Sequence, residues 1–268
     1  MTAPTLAFVS DTFDFLTTAD NWWGRLGILA RVAEHLRYSL GAVVIATIVA
    51  LPLGIWLGHL RRFGTAAINV GNIGRAVPTF GLMALAQQLW GRDELPVVGP
   101  VVGLVALVAL AIPPILINTY TGMAEVPDGV RDAARGMGYR GRDRALRVEF
   151  PVALPLVISG LRIAVVQVLA TAAFVAVFGF GGLGRLVVDG LAQQDDGELV
   201  AGALVLAVLV IAAEVFFAAA GRLLVPAGVR RSGGPRRRRA STQSEDRASE
   251  IAPDPIPMKA AHKERNPQ

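Results

Sequence analysis

Residues 122–155 read GMAEVPDGVRDAARGMGYRGRDRALRVEFPVALP, a polar, arginine-rich passage between two apolar runs. It has a helical grammar of its own. Pro127 followed by Asp128 suits a helix start: proline lacks the N–H that a first turn leaves unpaired, and a carboxylate there meets the positive end of the helix dipole. VRDAARGM then predicts a short helix, stopped at Gly138 in a left-handed cap. Gly141 to Val148 predicts a second helix, with Asp143 and Arg147 four apart and able to pair. Phe150-Pro151 and Leu154-Pro155 are expected to break the chain before the next apolar run. Charge alone would make this a solvated basic loop. The Ala-Ala-Gly surface argues for more, because small side chains let another protein's backbone come close.

The apolar runs on either side set the solvent. Of 268 residues 53% are hydrophobic and 18% charged, and the mean hydropathy is +0.50. A soluble domain carries about 25% charge, so this chain lacks the polar surface to cover a globule. A membrane helix needs about 20 mostly apolar residues. Five segments qualify: Leu36 to Leu60; Val70 to Trp90, interrupted by Gly71, Gly74, Pro78 and Gly81; Val97 to Tyr120, with Pro113-Pro114 inside; Leu156 to Phe178; and Leu199 to Val225. Prolines within spans are tolerated where neighbouring helices or waters satisfy the freed carbonyls. Asn21 to His35, with Trp22 and Trp23, suits an interfacial helix better than a sixth span. The expected fold is all-α and polytopic, with five to six transmembrane helices. Its parts are an interfacial N-terminal segment over 1–35, a membrane domain over 36–225 enclosing the loop 123–155, and a tail over 226–268.

Arginine placement orients the chain. Arg61, Arg62 and Arg75 follow the first span. Arg131, Arg135, Arg140, Arg142, Arg144 and Arg147 lie between the third and fourth, and Arg222, Arg230, Arg231 and Arg236 to Arg239 follow the fifth. The opposite loops hold only Arg92 and Arg185, and the N-terminal segment holds Arg25 and Arg31 as a mild counter-signal. This predicts an external N-terminus and a cytoplasmic C-terminus. Asp11, Asp14 and Asp20 with no basic n-region predict no cleaved signal peptide and a retained Met1. The Gly-, Pro-, Ser-, Arg- and Glu-rich tail from about Ser232 has little to bury and is expected to be disordered. Its arginine run suits anionic lipid rather than nucleic acid. With no cysteine there is neither a disulfide framework nor a thiolate metal site.

Asp132-Ala133-Ala134, Gly138, Val148 and Pro151 resemble the EAA loop of ABC importer permeases. That pattern is Glu-Ala-Ala, three residues, Gly, nine residues, then an aliphatic residue and a Pro. Every spacing agrees, and the one departure is Asp132 for Glu, which keeps the charge and shortens the reach by a methylene. The resemblance covers about Leu36 to Val225. Looser stretches, EHLRYSL before the first span, GRAVPTFGLMAL in the second, AIPPILINTYTGM closing the third and FGGLGRLVVDGL after the fourth, resemble permeases for glycine betaine, choline, carnitine and proline betaine. Methionine and other amino-acid importers share the core.

The resemblance implies a type I ABC importer in a prokaryotic plasma membrane. Its parts are two permease subunits, identical or homologous, a cytoplasmic ATPase dimer and an extracytoplasmic substrate-binding protein. The loop would be the coupling helix that sits in an ATPase cleft. The sequence contains no Gly-x-x-x-x-Gly-Lys-[Ser/Thr] loop, and no Lys precedes residue 259. No cofactor is therefore expected on this chain, with ATP and Mg held by the partner ATPase. Gly179-Phe180-Gly181-Gly182-Leu183-Gly184 fits a dinucleotide fingerprint literally, yet follows a span with no βαβ context and is expected to be a turn re-entering the membrane surface.

Quaternary amines are held by aromatic cages. Only Phe174, Phe178 and Phe180 cluster here, so high-affinity selection is expected in the binding protein, with this subunit a low-affinity conduit. Candidate path-lining polar residues are Thr79, Gln87, Asn118, Thr119, Gln167 and Thr171, each with interhelical hydrogen bonding as the plainer role. Arg162 and Glu214, charged within spans, are expected to pair with one another or across the dimer and to steady the gate region. A membrane enzyme would need a catalytic set, whereas His35, His59 and His262 are scattered. A channel would need a repeated filter or gating charges.

Overall fold

The structure is a computed structural model that describes residues 4–61, 81, 84, 85, 88, 98–179 and 181–224. The expected second span, with Thr79 and Gln87, lies largely outside the described residues. So do Phe180 and the basic tail.

Among the described residues every regular element is helical. Helix α1 (Pro4–Thr17) leads through a single 3-10 turn, Ala19–Asn21, to α2 (Ile28–Leu60). Helix α3 spans Val98–Ala124, and the short α4 spans Asp128–Gly136. Helix α5 (Gly141–Arg144) continues through a π turn, Ala145–Glu149, into α6 (Phe150–Val175), which ends in a 3-10 turn, Ala176–Phe178. Helix α7 (Leu183–Gln193) then precedes α8 (Asp196–Leu224). Four of these helical stretches are long and apolar enough to cross a membrane: Ile28–Leu60, Val101–Ala124, Gly141–Phe178 and Asp196–Leu223.

Helix α3 packs between α2 and α6, and small residues make this possible. Ala42, Ala46, Ala50, Gly54 and Gly58 recur every four residues on α2 and are all buried. A Cβ on Gly54 would come within 2.7 Å of the Thr119 Cβ, and one on Gly58 within 2.5 Å of the Met123 Cβ. On the other side, a Cβ on Gly160 of α6 would meet the Pro114 carbonyl oxygen at 2.7 Å. Lipid offers no hydrophobic drive for helices to associate, so close backbone approach and dispersion must supply it. Ala106, Leu107, Ala111 and Ile115 of α3 fill the core with Ala164, Val165, Val168 and Leu169 of α6. The outer faces of α2 and α8 are apolar and exposed, with Val44, Ile48 and Trp56 on one and Val208, Ile211 and Val215 on the other, as hydrocarbon requires.

Two boundaries differ from expectation. Asn21 to His35 is not an interfacial helix separate from a span starting at Leu36, since α2 runs unbroken from Ile28. Glu34 near its start is held within the protein: it lies 3.9 Å from Arg31 and accepts hydrogen bonds from Tyr38 Oη at 2.9 Å and from the Gly182 N–H at 2.7 Å. At about 1.5 Å per residue α2 is about 50 Å long and overshoots a hydrocarbon core of about 30 Å. The break expected at Phe150-Pro151 and Leu154-Pro155 is also absent. Pro151 falls in the first turn of α6, directly after the π turn. A proline clashes with the carbonyl four residues back. For Pro151 that residue is Arg147, inside the wider π turn, where the ladder is already displaced.

Candidate functional site

The connection between α3 and α6 folds back onto the end of α2 and makes two distinct surfaces. Helix α4 starts at Pro127 and is closed by Gly138, whose φ of +86° is the left-handed cap expected there. Asp132 and Ala133 point to solvent, and Asp132 accepts a hydrogen bond from the Arg135 guanidinium at 2.8 Å. Gly138 is exposed beside Met137, which is 68% exposed in spite of its apolar side chain. Ala134 faces the other way and is fully buried. Val148 and Pro151 are half-buried, in the π turn and the first turn of α6. The six motif residues thus divide: Asp132, Ala133 and Gly138 offer a surface, while Ala134, Val148 and Pro151 pack toward their own chain.

Beneath α4 lies a charged cluster that the sequence did not suggest. Glu149, the last residue of the π turn, is 0% exposed. Its Oε2 accepts from His59 Nδ1 at 2.7 Å and lies 3.4 Å from an Arg131 nitrogen, and its Oε1 accepts from Arg144 Nε at 3.0 Å. Arg131, 4% exposed, also donates to the carbonyl oxygens of Met123 at 2.6 Å and His59 at 3.2 Å, both at helix ends. Arg144 Nη2 lies 3.4 Å from His59 Nε2, so the imidazole suits the tautomer with its proton on Nδ1. Arg61, the left-handed cap of α2, donates to the Ala124 and Val126 carbonyls and pairs with Asp128 at the start of α4. Burial pushes the Arg131 guanidinium below its ordinary value and the Glu149 carboxylate pulls it back up, which leaves it charged at physiological pH. A charge removed from water is tolerated only when paired and hydrogen-bonded. Two arginines and a histidine around one carboxylate meet that condition.

The remaining candidates are dispersed. Thr119 is fully buried on α3 opposite Gly54, and Asn118 donates back to the Pro114 carbonyl at 2.8 Å. Gln167 and Thr171 are half-buried on one face of α6, with exposed Ile163 and Phe174 on the same face. Arg162 of α6 and Glu214 of α8 form an ion pair at 2.8 Å, each side chain about two-fifths exposed. His35 is buried with Nε2 3.0 Å from the Leu169 carbonyl, a helix-to-helix contact. The glycine turn before α7 is filled by protein: Gly182, φ +80°, turns its N–H to Glu34, and a Cβ on Gly181 would overlap the Glu34 carboxylate. A side-chain carboxylate therefore occupies the helix N-terminus where a dinucleotide fingerprint would seat phosphate.

Long apolar helices packed through small residues, with a short polar helix anchored at one end, define a multi-pass membrane protein. Residues 50–228 match the family model described as binding-protein-dependent transport system inner membrane component. The chain belongs to this family of ABC importer permeases. It is 31% identical to the choline transport system permease protein OpuBB of Bacillus subtilis over 76% of this chain and 91% of that one. It is 32% identical to the B. subtilis glycine betaine/carnitine/choline transport system permease protein OpuCB, over 75% and 90%. To the osmoprotectant import permease protein OsmW of Salmonella typhimurium it is 33% identical, over 76% and 95%. In fold it resembles a chain of the MetNI methionine ABC transporter in an inward-facing conformation, with a TM-score of 0.62, 22% identity and coverage of 74% and 96%.

Proposed function

We propose that this chain is the membrane permease of an ATP-driven importer for osmoprotectants of the glycine betaine, choline and carnitine type. The support for the solute class is the set of relatives, each matched over nine-tenths or more of its length. The methionine transporter shares the fold at 22% identity and carries no solute with it. Helix α4 is the coupling helix, with Asp132, Ala133 and Gly138 as the surface presented to a cytoplasmic ATPase dimer. ATP and Mg bind there and none binds this chain. A second permease copy or relative completes the path, and an external binding protein delivers the solute. The N-terminus is external and the C-terminus cytoplasmic. Gln167 and Thr171 line a low-affinity path, and the Arg162–Glu214 pair steadies the bundle beside it.

The mechanism follows from the packing. Closure of the ATPase pair displaces a short helix seated in its cleft, and that helix biases a bundle with two arrangements. The observation that carries this reading is the division of α4 into an outward face of small and polar residues and a root fixed in the bundle. Copurification tests it: the ATPase subunit stays with the intact chain and is lost on Gly138→Asp, which puts a branched anion on the left-handed glycine. Equal retention by both would overturn the docking surface.

A further inference from the structure

We propose that Glu149 is a positioning residue for coupling: its buried carboxylate, held by His59 of α2, Arg131 of α4 and Arg144 of α5, locks the coupling helix to the spans so that they move as one body. The inference rests on the reading of α4 as the coupling helix and assigns the joint behind it.

The need for a joint follows from the chain itself. Helix α4 is nine residues long and is linked to α3 by Glu125–Pro127 and to α5 by Met137–Arg140. The first link is pinned to the end of α2, its Val126 carbonyl accepting from Arg61, and neither link by itself ties α4 to α6. A helix this short has little stability of its own. Its outward face, Asp132, Ala133 and Gly138, is exposed and turned away from the bundle. Its inner face is held by Ala134, fully buried, and by Arg131, whose guanidinium donates to the Met123 and His59 carbonyls and forms an ion pair with Glu149 at 3.4 Å, reaching three segments. Of these only Glu149 belongs to the stretch continuous with α6. Because that helix runs unbroken from the π turn, a force on Glu149 acts on the whole span. His59, at the end of α2, brings a second span into the same joint.

The π turn sets the geometry. It adds one residue to a turn, which rotates α5 by about 100° relative to α6. Glu149 points to the buried cluster from its last position, while Leu146 and Arg147 stay exposed. The network is also asymmetric. Arg131 and Arg144 are two fixed positive charges with Glu149 as the only carboxylate bonding both among the described residues. Neutralising Glu149 leaves the buried Arg131 with only the more distant Asp128 as counter-charge and the half-buried Arg144 without its carboxylate partner, so the cluster is expected to open.

The test uses the complete transporter in proteoliposomes, this chain with its ATPase and binding protein, and reads solute moved per ATP hydrolysed. Glu149→Gln keeps shape and removes charge; Arg144→Gln leaves Glu149 with Arg131 and His59. The ratio should fall about tenfold for Glu149→Gln and about threefold for Arg144→Gln, the range expected when a coupling element is altered. The ATPase should still copurify with both. Amide exchange across residues 128–136 should rise in each variant, with that across 98–124 unchanged. Ratios within about twofold of wild type, or unchanged exchange across 128–136, would overturn the proposal. If Glu149→Gln fails to assemble, Arg144→Gln decides by the same readouts. A wild-type complex with no ATP-linked uptake would refute the permease reading, and exchange in the permease–ATPase complex without solute would still decide on the joint.

Discussion

Arg131 and Arg162 show how differently two arginines in one chain are held. Arg131 is buried with two carbonyl acceptors and one ion-pair partner, and its loss leaves two helix-end carbonyls short of a donor and Glu149 short of a counter-charge. Arg131→Met should destabilise the purified permease by about 3–5 kcal/mol, the cost of breaking a buried pair from one side. Arg162 pairs with Glu214 between two spans, where part of each side chain is exposed, and Arg162→Gln would leave a lone carboxylate there at a cost of up to about 2.5–3.5 kcal/mol. Thermal unfolding in one detergent checks both, and no loss for Arg131→Met would contradict the assignment of the first cluster as a structural one. At the other end of the bundle Gly181 allows Glu34 to reach the start of α7. Gly181→Ala should displace that carboxylate and lose about 1 kcal/mol of capping; a melting temperature identical to wild type would argue against it. The sequence made Asp132, Ala133 and Gly138 visible because they lie together in a spaced motif. It could not show Glu149, because its partners at 59, 131 and 144 are brought together only by the packing of α2, α4 and α5.

Among the helices, the apolar runs were legible and their joints were not. The spans read at Val97 to Tyr120, Leu156 to Phe178 and Leu199 to Val225 correspond to α3, α6 and α8 to within a few residues at most ends, since length and hydropathy are set by the bilayer. The start of α2 was misjudged because Arg31, Glu34 and Arg37 look like charges excluded from a span, whereas Arg31 and Glu34 pair with each other and Glu34 caps α7. The continuity of α5 and α6 was missed because Phe150-Pro151 signals a break unless a π turn precedes it. One readable signal went unused. Gly54-Ile55-Trp56-Leu57-Gly58 is a small-xxx-small pattern, and its glycines lie against Thr119 and Met123 of α3. Gly58→Leu would drive a side chain into Met123 and should destabilise the bundle by about 1–3 kcal/mol or more. Gly41→Ala, on the same helix with nothing within 4 Å of the added Cβ, should be neutral or slightly stabilising by up to about 1 kcal/mol. A similar loss for both, measured by thermal unfolding, would mean that the small stripe does not set the packing.

For the whole molecule, a basic net charge of +5 resolves into separate duties. Arg61, Arg131 and Arg144 tie the α4 end of the bundle together, while Arg135 and Arg147 pair at its surface with Asp132 and Asp143. Met137, exposed beside Gly138, gives the outward face an apolar point, so Met137→Glu should weaken retention of the ATPase by about tenfold as a central interface residue would. A pull-down that retains the ATPase as well as wild type would remove Met137 from the docking surface. The larger proposition is that this chain opens a path for an osmoprotectant only when a partner hydrolyses ATP. Uptake of radiolabelled choline or glycine betaine into proteoliposomes, with ATP supplied on the side of α4, tests it most directly. Uptake that requires ATP, the ATPase subunit and the binding protein together is the predicted result. Solute entry at the same rate with this chain alone would contradict it.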